Sequence, residues 1–267
     1  MKIGIIGYGN IGEAIVSGLL KGGTVKPDDI LASSRNKKKI KSALDEYKIQ
    51  ITRDNKKVTH FADYLIIAVK PLGLKAVLDE IKDDIDENTI IISVVSSVEI
   101  GEMEAVIGDK KIVRVMLNTP VMVNEGMSTL CMNDKVQFDE FDDIVEMFKS
   151  FGRAEIVEEK YMEIITAISG TSPAYVYMMV EAMADGAVMM GLPRRKAYQL
   201  AAQAVRGAAT MMLESDHHPG TLKDMVCSPG GSTIDGVFTL ETNNFRGTMM
   251  KTMRDATEKA MKLKQKL

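Results

Sequence analysis

Three stretches of this chain carry residue types and spacings suited to chemistry. The first is Gly7-Tyr8-Gly9-Asn10-Ile11-Gly12, which follows the apolar run Lys2–Ile6 and precedes a helical pattern through Ala14, Ile15, Gly18 and Leu19. This is G-x-G-x-x-G in a strand–turn–helix context, the arrangement that binds a dinucleotide. Gly7 permits the tight turn, Gly9 lets a pyrophosphate approach the backbone, and Gly12 allows the helix to pack close to the strand. The phosphates then meet free N–H groups at the positive end of the helix. A purely structural glycine turn is the blander alternative; the strand before and the helix after argue against it.

The second stretch selects the dinucleotide. About 20 residues past the glycines, NAD enzymes place an Asp or Glu on the ribose 2′-hydroxyl. Here the second strand ends Ala32-Ser33-Ser34-Arg35-Asn36 and runs into Lys37-Lys38-Lys39, with no carboxylate at that place. A 2′-phosphate is a dianion that a carboxylate repels and an Arg binds bidentately. The expected cofactor is therefore NADPH, with NADH as the weaker alternative. Three further strand ends offer small or polar groups at the same crevice: Ala68-Val69-Lys70-Pro71, Val94-Val95-Ser96-Ser97 and Asn118-Thr119-Pro120. The third stretch is Ser228-Pro229-Gly230-Gly231-Ser232-Thr233. Its Pro and paired Gly make a rigid turn with exposed backbone, and Ser232 and Thr233 open the next helix. Such a turn suits a small carboxylate, although a plain helix cap would look the same.

These residues need elements to position them. In residues 1–158, short β-rich runs alternate with helical patterns. The expected strands are Lys2–Ile6, Ile30–Ser33, Gln50–Thr52, Tyr64–Val69, Thr89–Val95, Ile112–Met116, Met127–Met132 and Ala154–Val157; the clearest amphipathic stretch is Leu74–Ile85. Nearly unbroken apolar strands alternating with helices imply a largely parallel sheet covered on both faces. From Tyr161 onward helical patterns take over, at Ser172–Met190, Arg194–Glu214, Ile234–Glu241 and Phe245–Lys266. The chain therefore divides into residues 1–159 and 160–267. Tyr175–Met190 is apolar on most faces, and a helix of that kind is buried. A half of about a hundred residues has little room to bury it, so this half is expected to pack against a second copy of the chain.

Composition excludes several classes. The chain has 267 residues, 45% hydrophobic and 27% charged, with a net charge of −3. That balance argues against a nucleic-acid or anionic-membrane binder working by bulk charge. No apolar run reaches the roughly 20 residues of a membrane helix. The Lys and short apolar run at the N-terminus read as a strand rather than a leader. Cys131 and Cys227 lie far apart with no Cys/His pattern, so neither a metal site nor a disulfide framework is expected, and a cytoplasmic location is. His60, His217 and His218 suit surface or capping roles better than catalysis; adjacent histidines on a helix cannot jointly hold one metal.

Four stretches resemble pyrroline-5-carboxylate reductases: Gly7–Gly12, Val69-Lys70-Pro71, Arg114–Pro120 (RVMLNTP), and a long C-terminal block. That block includes SGTSPAYVYMMVEAMADGAVMMGLPRRKAYQLAAQ, HPGTLKDMVCSPGGSTI and LETNNFRGTMMKTM. The glycine motif is common to many dehydrogenases, whereas the HPG-LKD-SPGG-T block is far more specific. The resemblance implies an α/β fold: an N-terminal Rossmann-type dinucleotide-binding domain followed by a C-terminal all-α dimerisation domain. It implies a homodimer, with rings of dimers as a further step, and a site joining one chain's cofactor domain to the partner's Ser228–Thr233 loop. Carried over by motif, Ile6, Gly7, Tyr8, Gly9, Asn10 and Ile11 would hold the pyrophosphate. Ser33, Ser34, Arg35 and Asn55 would surround the adenosine ribose and its phosphate. Ala68, Val69, Lys70, Pro71, Val94, Val95, Ser96 and Asn118 would lie along the cofactor towards the nicotinamide. Ser228, Gly230, Gly231, Ser232 and Thr233 would grip the substrate, with Glu159 in the same pocket. The chain departs from the pattern at Leu117 (a frequent Pro), Asn124 (a common Gly), Val94–Ser97 (usually Ala/Gly-rich) and Ser172 (a Gly).

The chemistry implied is hydride transfer to a cyclic C=N carbon, which the cofactor carries out and the protein must position. Positioning alone supplies about 7–11 kcal/mol. Thr233 is the candidate hydroxyl for the ring nitrogen. Two rival readings stand beside this one. A β-hydroxyacid reductase on the same architecture would need a Lys donor in the helical half, for which Lys223 is the one candidate near the loop. A non-enzymatic NADP(H) sensor would leave the Ser228–Thr233 loop unexplained.

Overall fold

Runs of Ile, Leu and Val too continuous for half-exposed strands build the centre of the first half. Ile3, Ile5, Ile66, Ile67, Ile91 and Ile92 are all fully buried, as residues of a sheet covered on both faces must be. The computed structural model describes residues 1–264. Eight strands form one sheet: β1 (Ile3–Ile6), β2 (Ile30–Ser33), β3 (Gln50–Thr52), β4 (Tyr64–Ile67), β5 (Ile90–Ser93), β6 (Lys111–Leu117), β7 (Gly126–Met132) and β8 (Gly152–Ile156). Their order is β3-β2-β1-β4-β5-β6-β7-β8. The first six run parallel, β7 turns back antiparallel to β6, and β8 is parallel to β7.

The helices of this half are α1 (Asn10–Lys21), α2 (Lys37–Ser42), α3 (Asn55–Phe61), α4 (Pro71–Ile81), α5 (Ile100–Ile107), α6 (Phe138–Lys149) and α7 (Met162–Ile165). One core joins the sheet to α1 and α6 through Ile15, Leu19, Phe148 and Phe151. The other joins it to α3, α4 and α5 through Val58, Leu74, Leu78 and Met103. The expected helix at Leu74–Ile85 begins earlier, at Pro71, and ends at Ile81, with Lys82–Asp84 continuing as a 3-10 turn. Leu72 is 89% exposed, so the first turn of α4 lacks the buried face on which the periodicity was read.

The helical half holds α8 (Ser172–Met189), α9 (Arg194–Glu214), α10 (Pro219–Met225), α11 (Ser232–Thr242) and α12 (Phe245–Lys264). The last expected residues of α12, through Lys266, lie partly outside the described residues. By packing, the chain separates into two compact units: Met1–Thr171 with the segment from Ala256, and Ser172–Asp255. Within the second unit α8 packs on α9. The buried residues of this unit are three alanines, Ala184, Ala197 and Ala201. Tyr177, Met178, Phe238 and Met250 are each about two-thirds exposed. A helical unit of this size without a core is not a self-sufficient fold. No described helix is long and apolar enough to cross a membrane.

Candidate active site

The three glycines of the first turn are glycine for three different reasons. Gly7 has φ +99°, and a Cβ there would lie 2.7 Å from the Ala68 carbonyl oxygen, so the turn is both left-handed and pressed against the end of β4. At Gly12 a Cβ would meet the Gly7 carbonyl oxygen at 2.7 Å; this glycine sets how closely α1 approaches β1. Gly9 has ordinary extended backbone, and a Cβ there would find no atom nearer than the Gly7 oxygen, at 4.0 Å. Nothing within the protein requires glycine at that position. The space above it is open, which is what a phosphate approaching the backbone needs.

Apart from α7, which continues from a 3-10 turn after β8, the six helices of this half have N-termini of two kinds. Side chains close four of them: Asn36 caps α2, Asp54 caps α3, and Glu99/Glu102 and Gln137/Glu140 form capping boxes on α5 and α6. No side chain caps α1 or α4. A cap contributes about 0.5–2 kcal/mol, and both of these starts leave their first N–H groups open. Both helices start where β1 and β4 end, and these are adjacent strands at the middle of the sheet. Positive helix ends at that place suit an anion.

Around this turn the structure gathers the residues read from the sequence. Ile6 closes β1, and the Tyr8 N–H donates to the Ser33 carbonyl at 2.8 Å, tying the first two strand ends together. Tyr8 contributes backbone only: its side chain is 1% exposed in the core, its hydroxyl has no hydrogen-bond partner, and burial, then the Glu13 charge, pushes its pKa up. Asn10 is exposed and Ile11 half-buried against the core. At the end of β2, the Ser33 hydroxyl donates to Asn55 Oδ1 at 2.7 Å, and Asn55 Nδ2 donates to Glu80 at 2.8 Å. Ser34 donates to the Tyr8 carbonyl at 3.4 Å.

Arg35 is exposed and belongs to no ion pair or hydrogen bond among the described residues. Its neighbour Lys39 is spent on Glu13, to which Ser42 also donates at 2.7 Å. Burial opposes the Glu13 charge, but these two hydrogen bonds outweigh it and lower its pKa. Arg35 is thus a free cation, and the Glu13 charge is compensated by Lys39.

Ala68 and Val69 leave the sheet after β4, Lys70 is exposed, and Pro71 opens α4. After β5, Val94 and Ser96 are half-buried and Val95 is buried. Ser97 takes φ +62°, a left-handed conformation that favours glycine. Asn124 shows the same thing in milder form, at φ +59°, and Asn tolerates that region better than most residues. Asn118 is buried with its carboxamide engaged at both ends: Nδ2 donates to the Ser169 carbonyl at 3.1 Å, and Oδ1 accepts from the Met127 N–H at 3.0 Å.

Sequence reasoning missed one cluster. Arg114 lies in β6 between two buried valines and is 4% exposed. It donates from Nη1 to Glu159 at 3.0 Å and from Nη2 to Glu163 at 3.0 Å. Burial works against the guanidinium charge, but Glu163 and then Glu159 outweigh it and raise its pKa. Glu159 also accepts the Ile100 N–H at 2.8 Å. The same carboxylate oxygen therefore closes the start of α5 and pairs Arg114. The available signal was a lone Arg within an apolar strand. Nearby Cys131 is buried, which pushes its thiol up to about 12 and leaves it inert.

The Ser228–Thr233 loop lies in the second unit and makes a self-contained turn. Gly231 N–H donates to the Ser228 carbonyl at 3.0 Å, Gly230 has φ +65°, and a Cβ on Gly231 would lie 2.5 Å from the Ser228 hydroxyl. Gly231 is the N-cap of α11, no side chain caps that helix, and Ser232 and Thr233 are exposed. The HPG segment forms α10, with the His218 ring nitrogen accepting the Gly220 N–H at 3.0 Å. Lys223, the candidate donor of the rival reading, is paired with Asp224. His60 pairs with Asp84, and no described group of three His, Cys, Asp or Glu residues could hold a metal ion.

Sheet order, glycine cradle and uncapped helix ends define the class: a dinucleotide-binding oxidoreductase domain followed by a helical half. Residues 2–97 match the family described as NADP oxidoreductase coenzyme F420-dependent, and residues 159–263 match the pyrroline-5-carboxylate reductase dimerisation family. The chain is 41% identical over 263 residues to pyrroline-5-carboxylate reductase of Escherichia coli strain K12, covering 98% of each. It is 38% identical to the enzyme of that name from Methanosarcina acetivorans, over 99% of this chain and 98% of the other. The crystal structure of Plasmodium falciparum pyrroline carboxylate reductase with NADP bound superposes with a TM-score of 0.91 at 32% identity, over 99% and 98% of the two chains. The chain belongs to the pyrroline-5-carboxylate reductase family.

Proposed function

We propose that this protein reduces the C=N bond of 1-pyrroline-5-carboxylate with hydride from NADPH, giving L-proline. The observation that carries this reading is 41% identity, end to end, with a reductase of that name. NADPH is preferred to NADH because Arg35 is unpaired at the end of β2, where NAD enzymes place a carboxylate. The residues present fit a dinucleotide: the space above Gly9 is open, α1 and α4 begin uncapped, and a free cation stands at the second strand.

When bound, the reduced nicotinamide supplies the hydride. The backbone of Ile6–Gly12 holds the pyrophosphate. Ser33, Ser34, Arg35 and Asn55 hold the ribose phosphate, and Asn55 is already fixed by Ser33 and Glu80. Ala68–Pro71, Val94–Ser96 and the main chain at Asn118 line the way to the nicotinamide. The substrate carboxylate meets Ser228, Gly230, Gly231 and Ser232 at the open start of α11. Thr233 accepts a hydrogen bond from the protonated ring nitrogen and orients it. As the hydride adds to carbon, the C=N electron pair becomes the nitrogen lone pair, so no nucleophile or metal is needed. A Thr hydroxyl is no general acid near neutral pH; the proton comes with the substrate or from water. Glu159 is committed to Arg114 and Ile100, and we assign it to holding the site rather than to touching the substrate.

The division of labour is residues 1–159 for cofactor and 160–267 for dimerisation and substrate. A homodimer through the helical half accounts for its coreless second unit, and rings of dimers would need a second, separate contact. A reducing cytoplasm suits both free thiols, Cys131 and Cys227. The test is the loss of reduced-cofactor absorbance on adding pyrroline-5-carboxylate, run in parallel with NADPH and NADH. Turnover with the lower KM for NADPH is expected. Cofactor binding without turnover would refute the substrate, and a lower KM for NADH would refute the role of Arg35.

A further inference from the structure

Residues 159–171 join the last strand to the first long helix of the second unit, the place where a flexible link would ordinarily lie. Here they form a strap bound along the first unit. Glu159 and Glu163 hold Arg114, and Glu159 also takes the Ile100 N–H. Met162 is fully buried in the core and receives the Thr129 hydroxyl on its sulfur at 3.8 Å. The Ser169 carbonyl accepts from Asn118. Gly170 approaches β6 so closely that a Cβ would lie 2.2 Å from Met116 Cε. Thr166–Gly170 is a π-turn, a distortion frequent at functional positions.

The Arg114 cluster stands out because of what it joins. A buried guanidinium is costly unless paired, so its position in the middle of β6 is a commitment. Through Glu163 it grips the strap. Through Glu159 it reaches the first residue of α5, four residues beyond Ser96, next to the turn where Ser97 is held left-handed. One side chain therefore ties the start of α5, three residues past the Val94–Ser97 turn, to the segment that leads into α8.

We infer that Arg114 is a positioning residue for hydride transfer, acting through Glu159 and Glu163 to hold the Val94–Ser97 turn and the 159–171 strap in register. The inference rests on the reading under Proposed function. A small displacement of reacting groups costs rate far more than it costs cofactor affinity. Loosening the clamp therefore lowers kcat and leaves cofactor binding intact.

Two variants test this in the full-length protein: Glu163→Gln, which keeps size and an acceptor oxygen, and Arg114→Lys, which keeps charge but cannot fork. Glu163 is 3% exposed, too buried to serve as a substrate contact. For each, thermal melting defines the range in which the variant is folded. There we measure the NADPH Kd by titration, the steady-state KM and kcat with pyrroline-5-carboxylate, and hydrogen exchange of residues 159–171. The expected result is a fall in kcat of about tenfold, with the NADPH Kd and substrate KM within about threefold and faster exchange confined to the strap and the start of α5. A lower melting temperature with unchanged kcat would make the cluster merely structural and overturn the proposal. So would a loss of activity that appears as weakened NADPH binding. Absence of turnover in the unaltered protein would instead remove the functional reading. Exchange would still judge the clamp: slow in the unaltered strap and fast in both variants sustains it, and fast exchange in the unaltered strap sinks it.

Discussion

Alanine at Gly9 and alanine at Gly12 should produce opposite defects. At Gly9 the backbone is extended and a Cβ would have no neighbour closer than 4.0 Å. Alanine is the poorer N-cap by up to about 1 kcal/mol, while restricting the unfolded chain returns about 0.4–1 kcal/mol. The two nearly cancel. At a few degrees per kcal/mol for a unit of this size, the melting temperature should move by no more than about 3 °C. Binding is another matter. A methyl group above the turn keeps phosphate from the backbone, and losing two charge-assisted hydrogen bonds at about 1.5 kcal/mol each raises the NADPH Kd about a hundredfold. At Gly12 a Cβ would lie 2.7 Å from the Gly7 carbonyl oxygen, which is backbone and cannot turn aside. Overpacking of that kind costs about 1–3 kcal/mol, so Gly12→Ala should melt about 2–12 °C lower. Differential scanning fluorimetry and cofactor titration on the two variants decide the matter. A Gly9→Ala protein that melts well below the parent, or that binds NADPH as tightly, would show that the space over Gly9 is not reserved for phosphate.

Three other substitutions probe separate parts of the site. Arg35→Ala should raise the Kd for NADPH about tenfold to a hundredfold and leave NADH within about twofold, since only the former carries the dianion; equal losses for both would mean that Arg35 contacts something else. Thr233→Ala should lower kcat/KM about tenfold or more, the value of one good hydrogen bond at the ring nitrogen, and unchanged kinetics would take Thr233 out of the mechanism. Tyr8→Phe removes a buried hydroxyl without a partner, so it should leave stability unchanged or raise it by about 1 kcal/mol with normal cofactor affinity; a clear loss in a urea melt would reveal a partner for that hydroxyl.

The sheet was legible because buried parallel strands must be unbroken runs of Ile, Val and Leu, and such runs lie where the central strands form. The strand ends were less so. Tyr64–Val69 reads as one apolar run, yet the sheet releases the chain after Ile67, where Ala68 turns to meet Gly7. The cradle was readable from glycine spacing, because the turn, the close packing and the phosphate each demand the absence of a side chain. The helix α10 escaped notice: seven residues are too few to show a period, and its signal is a capping His before Pro219. The Arg114 cluster was hidden for another reason. Its partners lie 45 and 49 residues further along the chain, and spacing alone does not say that a strand residue and a connecting segment will meet.

The coreless second unit also bears on how the molecule comes to exist. A nascent chain completes the sheet and its strap by Thr171, with both faces of the sheet already supplied with side chains to bury. The second unit, made later, has three buried alanines and a surface of Met, Phe and Tyr, so in the proposed homodimer its final ordering would wait on an encounter with another chain. Maturation would then be first order for the sheet and second order for the helical unit. Below some rate of synthesis, molecules with a finished cofactor cradle would accumulate with their helical halves unfinished, exposed to proteases and chaperones that read apolar surface. Abundance would then set not only how much of this protein there is, but what fraction of it is complete.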